Sequence, residues 1–186
     1  MRTIFLTAST LNGFLADEND SLAWLFAVPG GDSGGAAFDR FLAGVGVLVQ
    51  GASTYQWVLE HEDLVAHPEK WPAYYGERPT FVFTTRALPA VLGADIRFVS
   101  GSVAEHWDAI RDAAGDRDVW VVGGGDLAGQ FLDAGHLDEI AVTFAPATVS
   151  AGKPLLPRNI GADRLALVEV AQRGPFAELR YRVSAS

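Results

Sequence analysis

The stretch Asp118-Val119-Trp120-Val121-Val122-Gly123-Gly124-Gly125-Asp126-Leu127 decides the fold class. A run that is apolar on consecutive residues suits a strand buried on both faces of a mainly parallel sheet. Three glycines end it, and a helix-patterned segment follows directly. Glycines after a strand let the backbone turn tightly and let a ligand come close to its N–H groups. The next helix offers unpaired N–H donors and the positive end of its dipole. Together they form a ready site for a phosphate or pyrophosphate. The competing reading is structural: the glycines serve a tight strand–helix turn and nothing else. Asp126 is expected to cap the helix, because its charge and a phosphate would repel.

Outward from this motif, strand-like runs fall at Arg2–Thr7, Val45–Gln50, Thr80–Thr84, Ile96–Val99, Glu139–Phe144, Leu165–Ala171 and Glu178–Val183. Helical patterns sit between them. Ala37–Leu42 places Phe38, Phe41 and Leu42 on one stripe, and Ser102–Ala114 does the same with Val103, Trp107, Ile110 and Ala114. Ser102 and Glu105 form a capping-box pattern. Asp126–Ala134 reads as a helix stopped by Gly135. Ser53–Glu60 reads as a short helix with Ser53 or Thr54 near its cap. The two prolines of His67-Pro68-Glu69-Lys70-Trp71-Pro72 argue against a long helix there. Strand–helix alternation followed by strands alone predicts an α/β sheet, mostly parallel, with antiparallel strands at the C-terminal end. One domain over 1–186 is the expectation for this length. Gly30-Gly31-Asp32-Ser33-Gly34-Gly35 reads as a loop that covers a site or as a plain surface connection.

Gly123-x-Gly125-x-x-Ala128 satisfies the loose dinucleotide fingerprint. The doubly wound fold, however, opens with that motif and closes the next strand with an acid. Here the next strand runs into Phe144-Ala145-Pro146, and too little chain follows to complete that topology. The phosphate-cradle chemistry stands and that fold does not.

Composition narrows the remaining classes. A net charge of −9 disfavours nonspecific nucleic-acid binding, which needs clustered cations. No apolar stretch is long enough to span a membrane, and the N-terminus does not read as a signal peptide. With no cysteine there is no disulfide framework and no thiolate metal site. His61, His67, His106 and His136 are scattered without metal-ligand spacing, so no metal is expected; His106 is expected on the exposed side of its helix. No Gly-x-Ser-x-Gly elbow supports a serine hydrolase. A cytoplasmic location is the default.

Several segments in order resemble a known family. They are Ser9-Thr10-Leu11-Asn12-Gly13, Ser21-Leu22-Ala23-Trp24-Leu25, Gly51-Ala52-Ser53-Thr54-Tyr55, Phe81-Val82-Phe83-Thr84-Thr85-Arg86, the glycine motif, and Pro146 with Gly152-Lys153-Pro154-Leu155. Nearly the whole chain is similar to the riboflavin-biosynthesis reductases, the C-terminal domain of the RibD family, with a three-layer dihydrofolate-reductase-like fold. The resemblance implies a reduced nicotinamide cofactor, NADPH, with NADH also possible. It implies that Gly51, Ser53 and Thr54 start a helix at the pyrophosphate, and that Thr84, Thr85 and Arg86 sit near the adenosine end. Gly123, Gly124, Gly125 and Leu127 would pass close to the nicotinamide half and the pyrophosphate.

The chain departs from the family at three places. Ala52 stands where many relatives carry Arg, and Arg86 is either its substitute or a solvated surface residue. Asn12 replaces an Asp and serves as a substrate-side group or as a turn residue before Gly13. Ser21 stands where true dihydrofolate reductases have a carboxylate; Asp20 precedes it, as a substrate-side acid or a helix-start acid. Asn12, Ser21 and Asp20 are thus the candidates on the substrate side. Of Trp24, Phe26, Trp57, Trp71, Tyr74 and Tyr75, one or two are expected to line a pocket for a flat ring and the others to fill the core.

The expected activity resembles that of 5-amino-6-(5-phosphoribosylamino)uracil reductase: hydride transfer from NADPH to a small heterocycle or carbonyl. The zinc-containing deaminase domain of the bifunctional enzymes is missing from the chain. Two other classes compete: a nucleotide-binding module without turnover, and a structural α/β protein that binds nothing. The expected partner is a small-molecule substrate, with no nucleic acid or membrane, and the apolar closing strands would suit a homodimer.

Overall fold

The computed structural model describes residues 1–30 and 35–184. Ten strands are β1 (Thr3–Thr10), β2 (Phe14–Asp17), β3 (Val45–Gly51), β4 (Thr80–Phe83), β5 (Ile96–Val99), β6 (Asp118–Gly123), β7 (Glu139–Ala145), β8 (Gly152–Pro154), β9 (Leu165–Arg173) and β10 (Phe176–Val183). Helices are α1 (Ala23–Phe26), α2 (Gly35–Ala43), α3 (Ala52–His61), α4 (Trp71–Tyr75), α5 (Val103–Ala114) and α6 (Gly125–Asp133). The main sheet has the order β5-β4-β3-β6-β1-β7-β10-β9. Its first six strands are parallel, and β10 and β9 close it as an antiparallel pair. This is the sheet expected from the sequence. Among the described residues no helix is long and apolar enough to cross a membrane.

Strand β6 shows why its sequence is apolar throughout. Val119 and Val121 pack with Phe5, Val47, Val49 and the α5–α6 side chains Ile110, Ala128 and Phe131, all nearly inaccessible. Trp120 points to the opposite layer, with Val45, Leu48 and the α2 residues Phe41 and Leu42. Side chains alternate along a strand, so a central strand covered on both faces leaves no position for a polar residue. Helix α3 and the segment through α4 cover the β4 end of that second face, around Tyr55, Leu64, Trp71 and Val82.

The Ser102–Glu105 capping box is present at the start of α5. Two expectations at helix starts are corrected. Asp126 does not cap α6: the cap is Gly124, with no side-chain bond, and Asp126 lies in the first turn, held by Gln130 and Arg158 at 3.0 Å each. The cap of α3 is Gly51, so Ser53 and Thr54 lie inside its first turn. In both helices the turn glycine is already in the extended cap conformation, which advances the start of the helix. His106 is half-buried, not fully exposed, with Nε2 2.8 Å from the Ser100 carbonyl oxygen. The Pro68–Lys70 segment is one 3-10 turn leading into the short α4. The small β2–β8 ladder carried no sequence signal; its strands have four and three residues. Of the Gly30–Gly35 loop, 31–34 lie outside the described residues.

Candidate functional site

Parallel strands carry their following turns to one edge of the sheet. Gln50 is in register with Gly123, and Gly51 with Phe83, so the turns after β3, β4 and β6 are neighbours. A Cβ added to Gly51 would lie 3.6 Å from the Gly123 oxygen and the Gly124 nitrogen, so the β3 and β6 turns abut. Both lead into helices whose caps, Gly51 and Gly124, supply no side-chain acceptor. Two sets of first-turn N–H groups and two positive dipole ends therefore converge. Ser53 and Thr54 add hydroxyls in the first turn of α3.

The three glycines do different work. Gly123 has φ +153° and its Cβ would press on Thr54 Oγ1 at 3.2 Å; the Gly123–Gly124 peptide is cis. Gly125 must be glycine because a Cβ would collide with the carbonyl oxygens of Pro154 and Leu155. Gly124 has φ −84° and a Cβ there would meet nothing within 4 Å. Among the described residues no atom demands glycine at Gly124, and the space beside it is open. This opening between two helix starts without side-chain caps could hold a phosphate group.

The turns border a cleft of about 1200 Å³. Its floor is the sheet face opposite α5 and α6, where Leu6 is paired with Ala141 and Ala8 with Thr143. Trp120 and Val122 continue the floor; Trp24 of α1, Phe38 of α2 and Trp57 of α3 line the walls. The Trp24 Nε1–H is buried and has no hydrogen-bond partner among the described residues. Of the six aromatic candidates, Trp24, Trp57 and Tyr75 line the cleft; Trp71 is buried in the core, and Phe26 and Tyr74 are exposed. Sequence reasoning did not single out Leu6, Ala8, Trp120, Val122 and Thr143. The available signal was the small Ala8 and Ala141 in otherwise bulky strands.

The predicted cofactor-side residues fall into two groups. Gly51, Ser53, Thr54, Gly123, Gly124, Gly125 and Leu127 all line the cleft. Thr84, Thr85 and Arg86 line a separate, open recess of about 340 Å³ with Phe98 and Ser100, at the ends of β4 and β5. Arg86 reaches the α3 side chain Gln56 at 3.1 Å, and its N–H donates to Thr84 Oγ1 at 2.9 Å.

Of the substrate-side candidates, Asp20 lines the cleft, paired with Lys153 at 3.4 Å. Asn12 ties the β1–β2 turn to the 147–149 segment: its Nδ2 donates to the Val149 carbonyl at 2.7 Å, and its Oδ1 accepts from Thr10 Oγ1 at 2.9 Å. Ser21 Oγ accepts from the Ala23 N–H at 3.1 Å at the start of α1.

Electrostatics separate the two ends. Hydrogen bonds from Gln130 and Arg158 hold the Asp126 carboxyl below its ordinary range, and the Arg158 charge offsets the anion beside the α6 start. Burial pushes the Tyr75 phenol up to about 12, so it is neutral across the physiological range. At the far end of the floor, Arg2 and Arg180 clamp the nearly buried Glu139 at 2.7 and 3.0 Å.

With this geometry in view, the comparisons identify the lineage. The family model for the RibD C-terminal domain matches residues 3–176. The chain belongs to that family. This RibD C-terminal domain is 25% identical over 182 residues to the uncharacterized protein YwjB of Bacillus subtilis (strain 168), covering 97% of each chain. It is 27% identical over 158 residues to YyaP of the same strain, covering 83% of this chain and 79% of the other. A solved structure from Shewanella sp. PV-4, provisionally named a riboflavin biosynthesis protein, superposes with a TM-score of 0.77 at 24% identity over the full length of both chains. The dihydrofolate-reductase-like fold is thus shared with structures of RibD type.

Proposed function

We propose that this RibD-type domain is an NADPH-dependent reductase that transfers hydride to a small heterocycle or carbonyl compound. The observation that carries the reading is the open Gly124 turn between two uncapped helix starts, directly beside an aromatic-walled cleft. Gly51, Ser53 and Thr54 would hold the pyrophosphate with Gly123–Gly125. Arg86, with Thr84 and Thr85, would meet the adenosine end and its 2′-phosphate. When bound, the cofactor supplies a hydride donor; the protein supplies position and a dry surface.

The residues present have four roles. The first-turn backbone N–H groups of α3 and α6 would neutralise phosphate charge. Leu6, Ala8 and Val122 form a flat apolar floor. Trp24 and Trp57 restrict a ring between the walls and exclude water. The Asp20–Lys153 pair at the rim offers the one carboxylate among the three substrate-side candidates, with Asn12 and Ser21 held in turn hydrogen bonds. A water delivers the proton in this reading. The engagement of Asn12 and Ser21 also favours a second reading, in which the domain binds NADPH without turnover. The protein is further proposed to act in the cytoplasm, and to form homodimers through the exposed apolar residues of β9.

The deciding measurement is thermal stability with and without excess NADPH, with NADH alongside. A ligand at a hundred times its dissociation constant stabilises the native state by about 2.7 kcal/mol, several degrees for a domain this size. A shift that shrinks in Arg86→Ala supports the cofactor site. No shift with either cofactor, confirmed by titration at millimolar concentration, removes the reductase reading. Shift without turnover on any heterocycle or carbonyl favours the second reading.

A further inference from the structure

The cations on the cleft floor are already neutralised. Arg2 is bound by Asp118 and Glu139, both at 2.7 Å. Arg180 lies between Glu139 at 3.0 Å and Glu169 at 3.5 Å, and Arg173 is bound by Glu178. Lys153, at the rim, faces Asp20 at 3.4 Å. Among the described residues, Arg40 is the one cleft-lining cation with no carboxylate within 4.0 Å, and it stands exposed on α2. A guanidinium paired with carboxylates has its net charge, the attraction for a phosphate, largely cancelled. A lone exposed cation is screened by solvent and salt. The floor between these pairs is Leu6, Ala8 and Ala141, and the walls are indole and phenyl rings.

We infer that the substrate end of this cleft takes a flat, uncharged ring and disfavours a ligand with a phosphoryl group. The inference rests on the reductase reading for the chemistry, but binding at this end is measured without it. It separates this chain from enzymes whose substrate is a phosphorylated pyrimidine. The specificity lies in the Arg173–Glu178 and Arg180–Glu169 pairs.

Riboflavin and flavin mononucleotide differ by one phosphoryl group and serve as matched probes, read by flavin fluorescence anisotropy on the cofactor-free protein. Riboflavin is expected to bind about tenfold or more tightly than its phosphate, about 1.4 kcal/mol. Glu178→Gln releases Arg173 and is expected to narrow that gap by raising affinity for the phosphate, with riboflavin unchanged. Equal or tighter binding of the phosphate by the wild type overturns the inference, and so does binding of neither probe. A gap that ignores Glu178→Gln removes the electrostatic explanation and overturns it as well. Failure of the NADPH stability test with the riboflavin preference intact would sink the reductase reading alone.

Discussion

At the residue scale, adjacent glycines of one motif answer to different neighbours. Gly125→Ala drives a methyl into the Pro154 and Leu155 carbonyls. Alanine's better helix propensity returns less than 1 kcal/mol or so, while overpacking costs about 1–3 kcal/mol. Differential scanning fluorimetry is expected to show a lowered melting temperature. Gly124→Ala meets open space in an ordinary conformation, so its stability should match the wild type. Its NADPH affinity should fall by about tenfold, or 1.4 kcal/mol, since the methyl occupies the cofactor's approach. Equal NADPH affinity in the two proteins would move the cofactor away from this turn.

Gln50 is the second residue of note. It is fully buried near the end of β3, and neither its Oε1 nor its Nε2 has a partner among the described residues. A buried polar group without a hydrogen bond costs about 1–3 kcal/mol. Gln50→Met keeps length and volume without the amide, so the melting temperature should rise, by about 2–6 °C. A fall instead would show that the amide is bonded in solution by water or ligand.

At the scale of elements, the start of α5 makes a pH-dependent contribution. Glu105 accepts the Ser102 backbone N–H at 2.6 Å, and this bond holds its carboxyl below the ordinary value of 4.5. A folded-state value below the unfolded one means that the contribution is complete above the unfolded value and is lost as pH falls through the folded one. Glu105→Gln should therefore melt below the wild type at pH 7, with the gap closing as the pH falls below the ordinary value of 4.5. A gap constant with pH would assign the effect to hydrogen-bond geometry rather than charge.

At the scale of the molecule, the closing edge of the sheet is unprotected. Strand β9 pairs on one side with β10, and its Leu167, Val168 and Val170 are 53%, 43% and 64% exposed. Edge strands with apolar surface invite pairing with another chain. Sedimentation equilibrium at micromolar concentration is expected to give a dimer mass for the wild type and a monomer for Val170→Lys. A wild-type monomer would leave this edge to another role.

Much of this architecture was legible in the sequence because it follows from local chemistry. Consecutive apolar residues at Val119–Val122 marked a strand covered on both sides, and Ser102 with Glu105 marked a helix start. The glycines after β6 marked a turn that a phosphate can approach. Those signals live within a few residues of one another, where periodicity and backbone freedom act directly. Tertiary structure alone decided which glycine answers to packing and which to open space, since the Pro154–Leu155 backbone reaches Gly125 from 29 residues away along the chain. It also decided that Asn12 and Ser21 spend their polar atoms on turns, and that Leu6, Ala8 and Thr143 form the floor of a cleft. It pairs the charges of Arg173 and Arg180 as well: strand register sets Glu169 opposite Arg180, and Glu178 meets Arg173. Contacts of that kind depend on which strands become neighbours, and no local pattern encodes that.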